Sequence, residues 1–214
     1  MNKKRLKNCL NLLHKMNLQE EYKKKKSLIE SRLNEFKNIP KEEYFYELCF
    51  CILTPQSTAR GADRAIQLLK QHDFKNLNFN PSQYLQSNIR FHNNKSFYLM
   101  EFKAKHEEIL QQLSAIKDNK EKREFLVNNL KGLGLKEASH FLRNTGHENL
   151  AILDRHILKN LLKQGAIKEL PKSLTRSKYL EIEQQFIDFA NKQKIPLDHL
   201  DLLFWSNESG EIFK

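Results

Sequence analysis

Apolar residues recur three and four positions apart along most of the chain, which is the spacing that places them on one face of an α-helix. No segment shows the pattern of a sheet, so the sequence predicts an all-α protein. The predicted helices cover about 4–16, 19–37, 42–53, 57–70, 96–114, 119–130, 135–145, 155–164, 175–192 and 197–206, with boundaries uncertain by a few residues.

Few residues interrupt this pattern, since the chain has only six glycines and five prolines. Pro40 separates a basic, amphipathic pair of N-terminal helices from a more apolar middle. The segment 79–96 is polar and has little periodicity, and we predict that it is a connection between two helical blocks.

The composition is that of a folded protein, with 39% hydrophobic and 29% charged residues. Its net charge is +11, and residues 1–40 hold eleven basic against four acidic side chains. A run such as Lys23 to Lys26 is often only a solvated helix face. A net charge this large nevertheless favours polyanions, of which nucleic acid is the commonest in a cell.

Three cysteines, Cys9, Cys49 and Cys51, are too few for a disulfide framework, and no Cys/His cluster indicates a metal. Cys49 and Cys51 lie in an apolar run and are expected to be small core residues. The first residues are too polar for a signal peptide, and no apolar stretch approaches membrane-spanning length. We therefore expect a soluble intracellular protein.

The stretch Gly132-Leu133-Gly134 is predicted to be a tight reversal between two packed helices. Successive amides at the start of the second helix would be unpaired there, and such a nest suits a phosphate of a nucleic-acid backbone. An ordinary helical hairpin with a C-cap glycine is the alternative.

Lys136 follows this hairpin in the first turn of the next helix. A lysine acts as a nucleophile when its pKa is lowered to about 7–8, and a helix N-terminus and nearby cations act in that direction. Lys131 and Arg155 are the predicted cationic neighbours. A plain surface lysine is the alternative in a chain so rich in lysine.

Asp154 ends the apolar run "NLAIL" and precedes "DRHILKNLLKQG", a predicted helix. Aspartate is a preferred N-cap residue, which stabilises a helix by about 1 kcal/mol. The same anion could also face positive charge that develops on a sugar. The sequence alone leaves both roles open.

These segments resemble the helix-hairpin-helix superfamily of DNA base-excision glycosylases. The strings "LKGLGLK", "KEASHFLRNTG" and "LAILDRH" are most similar to the compact second branch of the 8-oxoguanine DNA glycosylases with apurinic/apyrimidinic (AP) lyase activity. The resemblance covers most of the chain, since "ELCFCILTPQSTARGADRA", "RFHNNK" and "DLLFWSNESGEIFK" match as well.

The resemblance implies that Lys136 attacks the anomeric carbon of a flipped-out nucleotide and forms a Schiff base that permits β-elimination. It implies that Asp154 stabilises the oxocarbenium-like transition state. The base-recognition residues that it implies are His140, Trp205, Lys214 and Gln56. The DNA-binding residues that it implies are Gly132, Gly134, Arg90, Phe91 and His156.

Several of these residues also have a simpler explanation. His140 shares a helix face with Lys136, but a helical histidine is commonly a packing residue. Phe91 suits a wedge that fills the gap left by a flipped base, although a small local core would explain it equally well. Trp205 would be a stacking surface, although a lone tryptophan in an apolar helix is usually core. Lys214 matches the lysine with which this branch typically ends.

We expect two helical lobes: residues 40–148 as a helical barrel ending in the hairpin, and 1–39 with 149–214 as the second. A DNA-binding cleft between them would hold Lys136 and Asp154, one from each side. All three cysteines precede Lys136, so the iron–sulfur cluster of related glycosylases is not expected, nor is any other redox or metal cofactor. A monovalent cation on the hairpin carbonyls is conceivable.

The expected partner is double-stranded DNA containing 8-oxoguanine, bound by a monomer that does not associate with a membrane. Two other functions stay open on this evidence. One is a glycosylase for another oxidised base. The other is a non-catalytic module that uses the hairpin only to hold phosphates.

Overall fold

The computed structural model describes the backbone of residues 3–212 and the side chains of 18–208 and 210–212. Over this range the chain forms helices and no strand, which confirms the predicted all-α class. The helices are α1 (Lys3–Lys37), α2 (Tyr44–Leu53), α3 (Ala59–Gln71), α4 (Ser82–Leu85), α5 (His92–Ala115), α6 (Asn119–Asn129), α7 (Leu135–Asn144), α8 (Arg155–Lys163), α9 (Arg176–Gln193) and α10 (Leu197–Ser209), with a 3₁₀ turn at Lys41–Glu43.

The predicted break between two N-terminal helices is wrong, because α1 runs without interruption from Lys3 to Lys37. Neither glycine nor proline occurs in that range, so no residue there favours ending a helix. Leu18, which was left between the two predicted helices, is 1% exposed and belongs to the core.

The connection predicted over residues 79–96 is partly helical. It contains the single turn α4 and the first turn of α5, which begins at His92. Phe91 precedes α5 in the left-handed conformation, with φ 57° and ψ 38°. The backbone therefore turns sharply at Phe91, immediately before α5 begins. Hydrophobic periodicity does not reveal a boundary that is set by the conformation of one residue.

The described residues divide into two compact units. Residues 36–147 form the first, called here the hairpin unit because it contains Gly132 and Gly134. Residues 3–35 and 148–212 form the second, called the terminal unit. The finer division into a barrel over 40–148 and a lobe of 1–39 with 149–214 stays a proposal.

The core of the hairpin unit is built on α2, which packs against α3, α5 and α7. Phe45 of α2 is fully buried and stacks on Phe102 of α5, with 5.3 Å between ring centroids. Cys49 and Cys51 are both 0% exposed, so they are core residues as predicted. This packing fixes α7, and with it Lys136, against the centre of the unit.

In the terminal unit a buried segment without regular secondary structure, residues 150–153, leads into α8. Its backbone is held by α9: the Ala151 amide donates to Glu183 Oε1 at 2.9 Å, and the Tyr179 hydroxyl donates to the Ala151 carbonyl. Helix α10 packs on both α8 and α9. The segment thus delivers Asp154 at a fixed position at the start of α8.

None of the helices among the described residues is both long enough and apolar enough to cross a membrane.

Candidate active site

The glycine hairpin joins α6 to α7, as predicted. Gly132 has φ 83°, in the left-handed region that glycine adopts without strain. A Cβ on Gly132 would lie 2.6 Å from Cδ2 of Tyr98, so the Tyr98 ring also excludes any larger residue. Backbone conformation and packing therefore both require glycine at this position.

Gly134 is the N-cap residue of α7, and its amide donates to Glu137 Oε2 at 3.1 Å. The expectation that successive amides at this helix start stay unpaired is therefore wrong for Gly134. A glutamate three residues after an N-cap is the arrangement of a capping box. A phosphate bound here would have to use other amides or replace the Glu137 carboxylate.

Lys136 lies in the first turn of α7, where the sequence placed it, with its side chain 30% exposed. Its Nζ lies 3.0 Å from Glu137 Oε1, so one carboxylate both caps the helix and fixes the amine. Lys131, which was predicted to be a cationic neighbour of Lys136, forms an ion pair with Glu101, with 3.0 Å between Nζ and Oε1. Lys136 therefore lies beside an acid that can hold or accept its proton.

Glu137 was missed by the sequence reasoning, although a signal for it exists. The sequence Gly134-Leu135-Lys136-Glu137 has an acid at the third helical position, which favours a capping contact.

His140 lies one turn beyond Lys136 on α7 and is only 8% exposed. Its ring meets Phe50 edge to face, with 5.6 Å between centroids. The histidine is thus packed into the hairpin unit, and its role as a wall for a base stays a prediction.

Asp154 is the N-cap of α8, which confirms the structural half of its interpretation. Its Oδ1 accepts the amides of His156 and Ile157, both at 2.8 Å. Its Oδ2 accepts the indole N–H of Trp205 at 3.2 Å. Three donors thus fix the orientation of this carboxylate.

The contact between Trp205 and Asp154 was not foreseen, because the two residues are 51 positions apart and belong to different helices. Trp205 is only partly buried, in contrast to Phe204 beside it, which is 0% exposed. The side chain is therefore neither a plain core residue nor a free stacking platform. It is a ring whose N–H orients a carboxylate.

His156 is engaged at both ring nitrogens. Arg155 Nε donates to His156 Nε2 at 3.2 Å, and His156 Nδ1 lies 3.3 Å from Glu208 Oε2. Since a carboxylate only accepts, the ring proton lies on Nδ1 in this arrangement. A phosphate contact by His156 stays a prediction, and it would require replacing one of these partners.

Gln56 lies in the turn Thr54–Ser57, which is closed by a hydrogen bond from the Ser57 amide to the Thr54 carbonyl at 2.9 Å. It is exposed and has φ 54°, a left-handed conformation that costs a residue other than glycine about 1–3 kcal/mol. The surrounding structure must therefore impose this conformation on Gln56.

Phe91 is 49% exposed, which excludes the alternative that it belongs to a small local core. The Arg90 guanidinium lies over its ring, 4.9 Å from the centroid. The Arg90 amide donates to Ser57 Oγ at 3.1 Å, so this loop is tied to the turn that carries Gln56.

Lys95 is a charged residue that the sequence reasoning did not single out, although it ends the quoted string "RFHNNK". It is 5% exposed on α5. Burial lowers the pKa of its ammonium group to about 8, against the opposing charge of Glu137 and with a further lowering by Lys136. The charge of Lys95 therefore interacts with the charges of Lys136 and Glu137 in the first turn of α7.

The lowered pKa of Lys95 makes the free energy of unfolding depend on pH. In the unfolded chain a lysine titrates near pH 10.4, so between pH 8 and that value the unfolded state binds more protons. Raising the pH through this window therefore stabilises wild type relative to Lys95→Met. Urea unfolding of both proteins at pH 7.5 and 9.5 measures the difference, and an equal difference at the two values would contradict the assignment.

The structure brings the predicted residues together in two sets. In the hairpin unit, Lys136 and His140 lie on α7, which follows the hairpin directly, while the turn of Gln56 is tied to the loop of Arg90 and Phe91. In the terminal unit, Asp154, Trp205 and His156 lie together. Lys214 lies outside the described residues. Among the side chains that the structure describes, no three His, Cys, Asp or Glu residues are grouped closely enough to hold a metal ion.

The family described as 8-oxoguanine DNA glycosylase matches residues 29–195. The chain is 46% identical over 209 residues to an 8-oxoguanine DNA glycosylase/AP lyase of Fusobacterium nucleatum, covering 92% of this chain and 96% of that protein.

Two solved structures are similar over nearly the whole chain. One is the 8-oxoguanine glycosylase/lyase of Methanocaldococcus jannaschii in complex with 15mer DNA containing 8-oxoguanine, with a TM-score of 0.83, 37% identity and coverage of 93% of this chain and 100% of that one. The other is the 8-oxoguanine DNA glycosylase of Thermotoga maritima, with a TM-score of 0.84, 32% identity and coverage of 95% and 100%.

Proposed function

Because this chain belongs to the 8-oxoguanine DNA glycosylase family, we infer that Lys136 is its nucleophile and Asp154 its catalytic carboxylate. The protein is a DNA glycosylase that removes 8-oxoguanine and an AP lyase that cleaves the strand at the resulting site. Its partner is DNA containing 8-oxoguanine. We propose the catalytic roles of the individual side chains.

The proposed reaction begins with the neutral amine of Lys136. The Nζ lone pair bonds to C1′ of the everted nucleotide as the C1′–N9 bond breaks, and the proton that Nζ then loses passes through Glu137 to the departing base. Protonation of O4′ by water opens the sugar ring, and the nitrogen lone pair forms a protonated Schiff base at C1′. Loss of a C2′ proton then expels the 3′ phosphate, which is the β-elimination step. Glu137, at 3.0 Å from Nζ, is placed to take the amine proton.

Asp154 contributes charge in this proposal. The sugar gains positive charge as the C1′–N9 bond breaks, and a preoriented anion stabilises that charge without reorganisation. The amides of His156 and Ile157 and the indole of Trp205 hold the carboxylate in place before substrate arrives. Asp154 is thus both the cap of α8 and the anion of the site.

The observation that carries the proposal is the position of Lys136, in the first turn after a glycine hairpin and fixed by Glu137. Lys136 is the single lysine of α7. The sequence resemblance implies that the amine at this position joins the sugar. The exposed Phe91 and Gln56 support the roles of wedge and base contact.

A panel of duplexes tests the function directly. We expect strand cleavage and a borohydride-trapped covalent adduct with 8-oxoguanine opposite cytosine, and neither with undamaged DNA. Preferential cleavage of a thymine glycol duplex would favour the alternative of a glycosylase for another oxidised base. Binding of every duplex without any adduct would identify a non-catalytic DNA-binding module.

Trp205→Phe isolates the role of the indole N–H. The variant keeps an aromatic ring but loses the donor to Asp154 Oδ2. A hydrogen bond to a charged group contributes about 1.5–3 kcal/mol, and the indole is partly exposed, so we expect about tenfold slower single-turnover excision. Affinity for lesion DNA should change little. Excision at the wild-type rate would show that the indole does not position the carboxylate.

We also propose that the protein works in the cytoplasm in association with the chromosome. The net charge of +11 supports the association with DNA, because it favours binding to a polyanion. Fluorescence imaging of the tagged protein checks it, and a signal excluded from the cellular DNA would count against it.

A further inference from the structure

Lys95 extends from α5 to the turn that carries Gln56, and its ammonium group donates three hydrogen bonds there. Its Nζ donates to the carbonyl of Leu53 at 2.7 Å, to the carbonyl of Pro55 at 2.6 Å and to Ser57 Oγ at 3.0 Å. A lysine ammonium has three N–H donors, so all of them are used. Lys95 is therefore not a second nucleophile, since its nitrogen is buried and occupied.

These acceptors lie on both sides of Gln56. The Pro55 carbonyl belongs to the residue before it, and the Ser57 hydroxyl to the residue after it. Proline at the second position and a positive φ at the third are typical of a type II turn, which normally has glycine or asparagine where this chain has glutamine. The ammonium thus bonds the peptide unit that precedes Gln56 and the side chain of the residue that follows it, so Gln56 is held from both sides.

Ser57 extends this arrangement to a second loop. Its hydroxyl oxygen accepts both from Lys95 Nζ and from the Arg90 amide. One buried cation therefore connects the Gln56 turn, the Arg90–Phe91 loop and α5. It also lies close enough to Lys136 and Glu137 for their charges to affect it.

We propose that Lys95 is a positioning residue for recognition of the damaged base, because it holds Gln56 in the left-handed conformation in which the glutamine contacts that base. This inference rests on the proposed function, which assigns base contact to Gln56. It has a specific consequence: Lys95 acts on base excision, and it has no part in cleaving an abasic site, where no base remains to be recognised.

Lys95→Met tests this consequence because it keeps the apolar stem and removes the charge and the donors. We expect single-turnover excision of 8-oxoguanine to fall about tenfold or more, as for the loss of hydrogen bonds to a charged group. Cleavage of a preformed abasic site should stay within about twofold of wild type, since Lys136 is untouched. A merely structural role would lower both rates by the same factor, through the folded fraction.

Lys103→Met is the matched control. Lys103 lies on the same helix and also donates to a loop carbonyl, that of Leu77, and burial lowers its pKa too. Its loop carries no residue proposed for the site, so excision should remain at the wild-type rate. Should Lys95→Met fail to fold, Ser57→Ala removes one shared acceptor more gently, and excision should again fall while abasic-site cleavage does not.

A double variant shows whether Lys95 acts through Gln56. If it does, adding Gln56→Ala to Lys95→Met slows excision no further, because the two single effects overlap. Multiplicative effects would overturn the inference, as would wild-type excision by Lys95→Met or equal losses of excision and abasic-site cleavage. Failure of the proposed function is seen separately, as a wild-type protein that forms no adduct with 8-oxoguanine DNA.

Discussion

Lys136→Gln eliminates the borohydride-trapped adduct with 8-oxoguanine DNA while the variant still binds that DNA. An amide nitrogen has no lone pair available to form a Schiff base, so excision and abasic-site cleavage should both fall by at least about three orders of magnitude. The glutamine can still donate to Glu137 Oε1, and the bond from the Gly134 amide to Glu137 Oε2 is not altered. Loss of activity should therefore come without loss of the fold. Gel electrophoresis of trapped complexes and a binding titration measure the two properties.

Lys105→Gln is the control for this experiment. Lys105 donates to the Asn129 carbonyl at 2.7 Å, at the end of α6 just before the hairpin, so its removal perturbs the same region without touching the proposed nucleophile. This variant should give the wild-type yield of adduct. A normal adduct from Lys136→Gln would require another amine and would reject the assignment.

Asp154→Asn is expected to slow excision on the order of 10²–10³-fold, the range found for loss of one preoriented electrostatic contact. Asparagine is as good an N-cap as aspartate, and its carbonyl oxygen can accept the amides of His156 and Ile157. The contribution of the helix cap to the free energy of unfolding should therefore be kept. What disappears is the negative charge and the acceptor for the indole of Trp205. Single-turnover kinetics, urea unfolding and a binding titration separate these effects.

Asp118→Asn is the matched control, because Asp118 caps α6 by accepting the Glu121 amide at 2.9 Å. The same chemical change at an ordinary cap should leave excision unaffected. Asp154→Ala additionally removes the cap, and should be less stable than Asp154→Asn by about 1 kcal/mol. Asp154→Asn that excises at the wild-type rate would leave Asp154 with only its structural role.

Local sequence patterns predicted the parts of the site that depend on neighbouring residues. The position of Lys136 in the first turn of α7 followed from the glycines before it, and the cap at Asp154 followed from the helix after it. Both features are determined within a few residues, where spacing and residue type carry the information. The predicted helix break near Leu18 was wrong because α1 contains neither glycine nor proline. Hydrophobic periodicity alone does not take the presence or absence of such residues into account.

The contacts that hold the site were not predictable in the same way. Lys95 bonds a turn about 40 residues earlier in the chain, and Trp205 bonds Asp154 from 51 residues later. Such pairs depend on how whole helices pack, and a pattern with a period of 3.6 residues says nothing about which distant loop a side chain will meet. Glu137 is the exception, since its capping position could be read from the sequence.

Cys49 and Cys51 have a consequence for the conditions in which this enzyme works. Both side chains are completely buried, and burial raises the pKa of the Cys49 thiol well above its ordinary value. Peroxides react with the thiolate and need access to the sulfur, so a buried protonated thiol reacts slowly. Oxidants that generate 8-oxoguanine in DNA should therefore oxidise these two cysteines slowly.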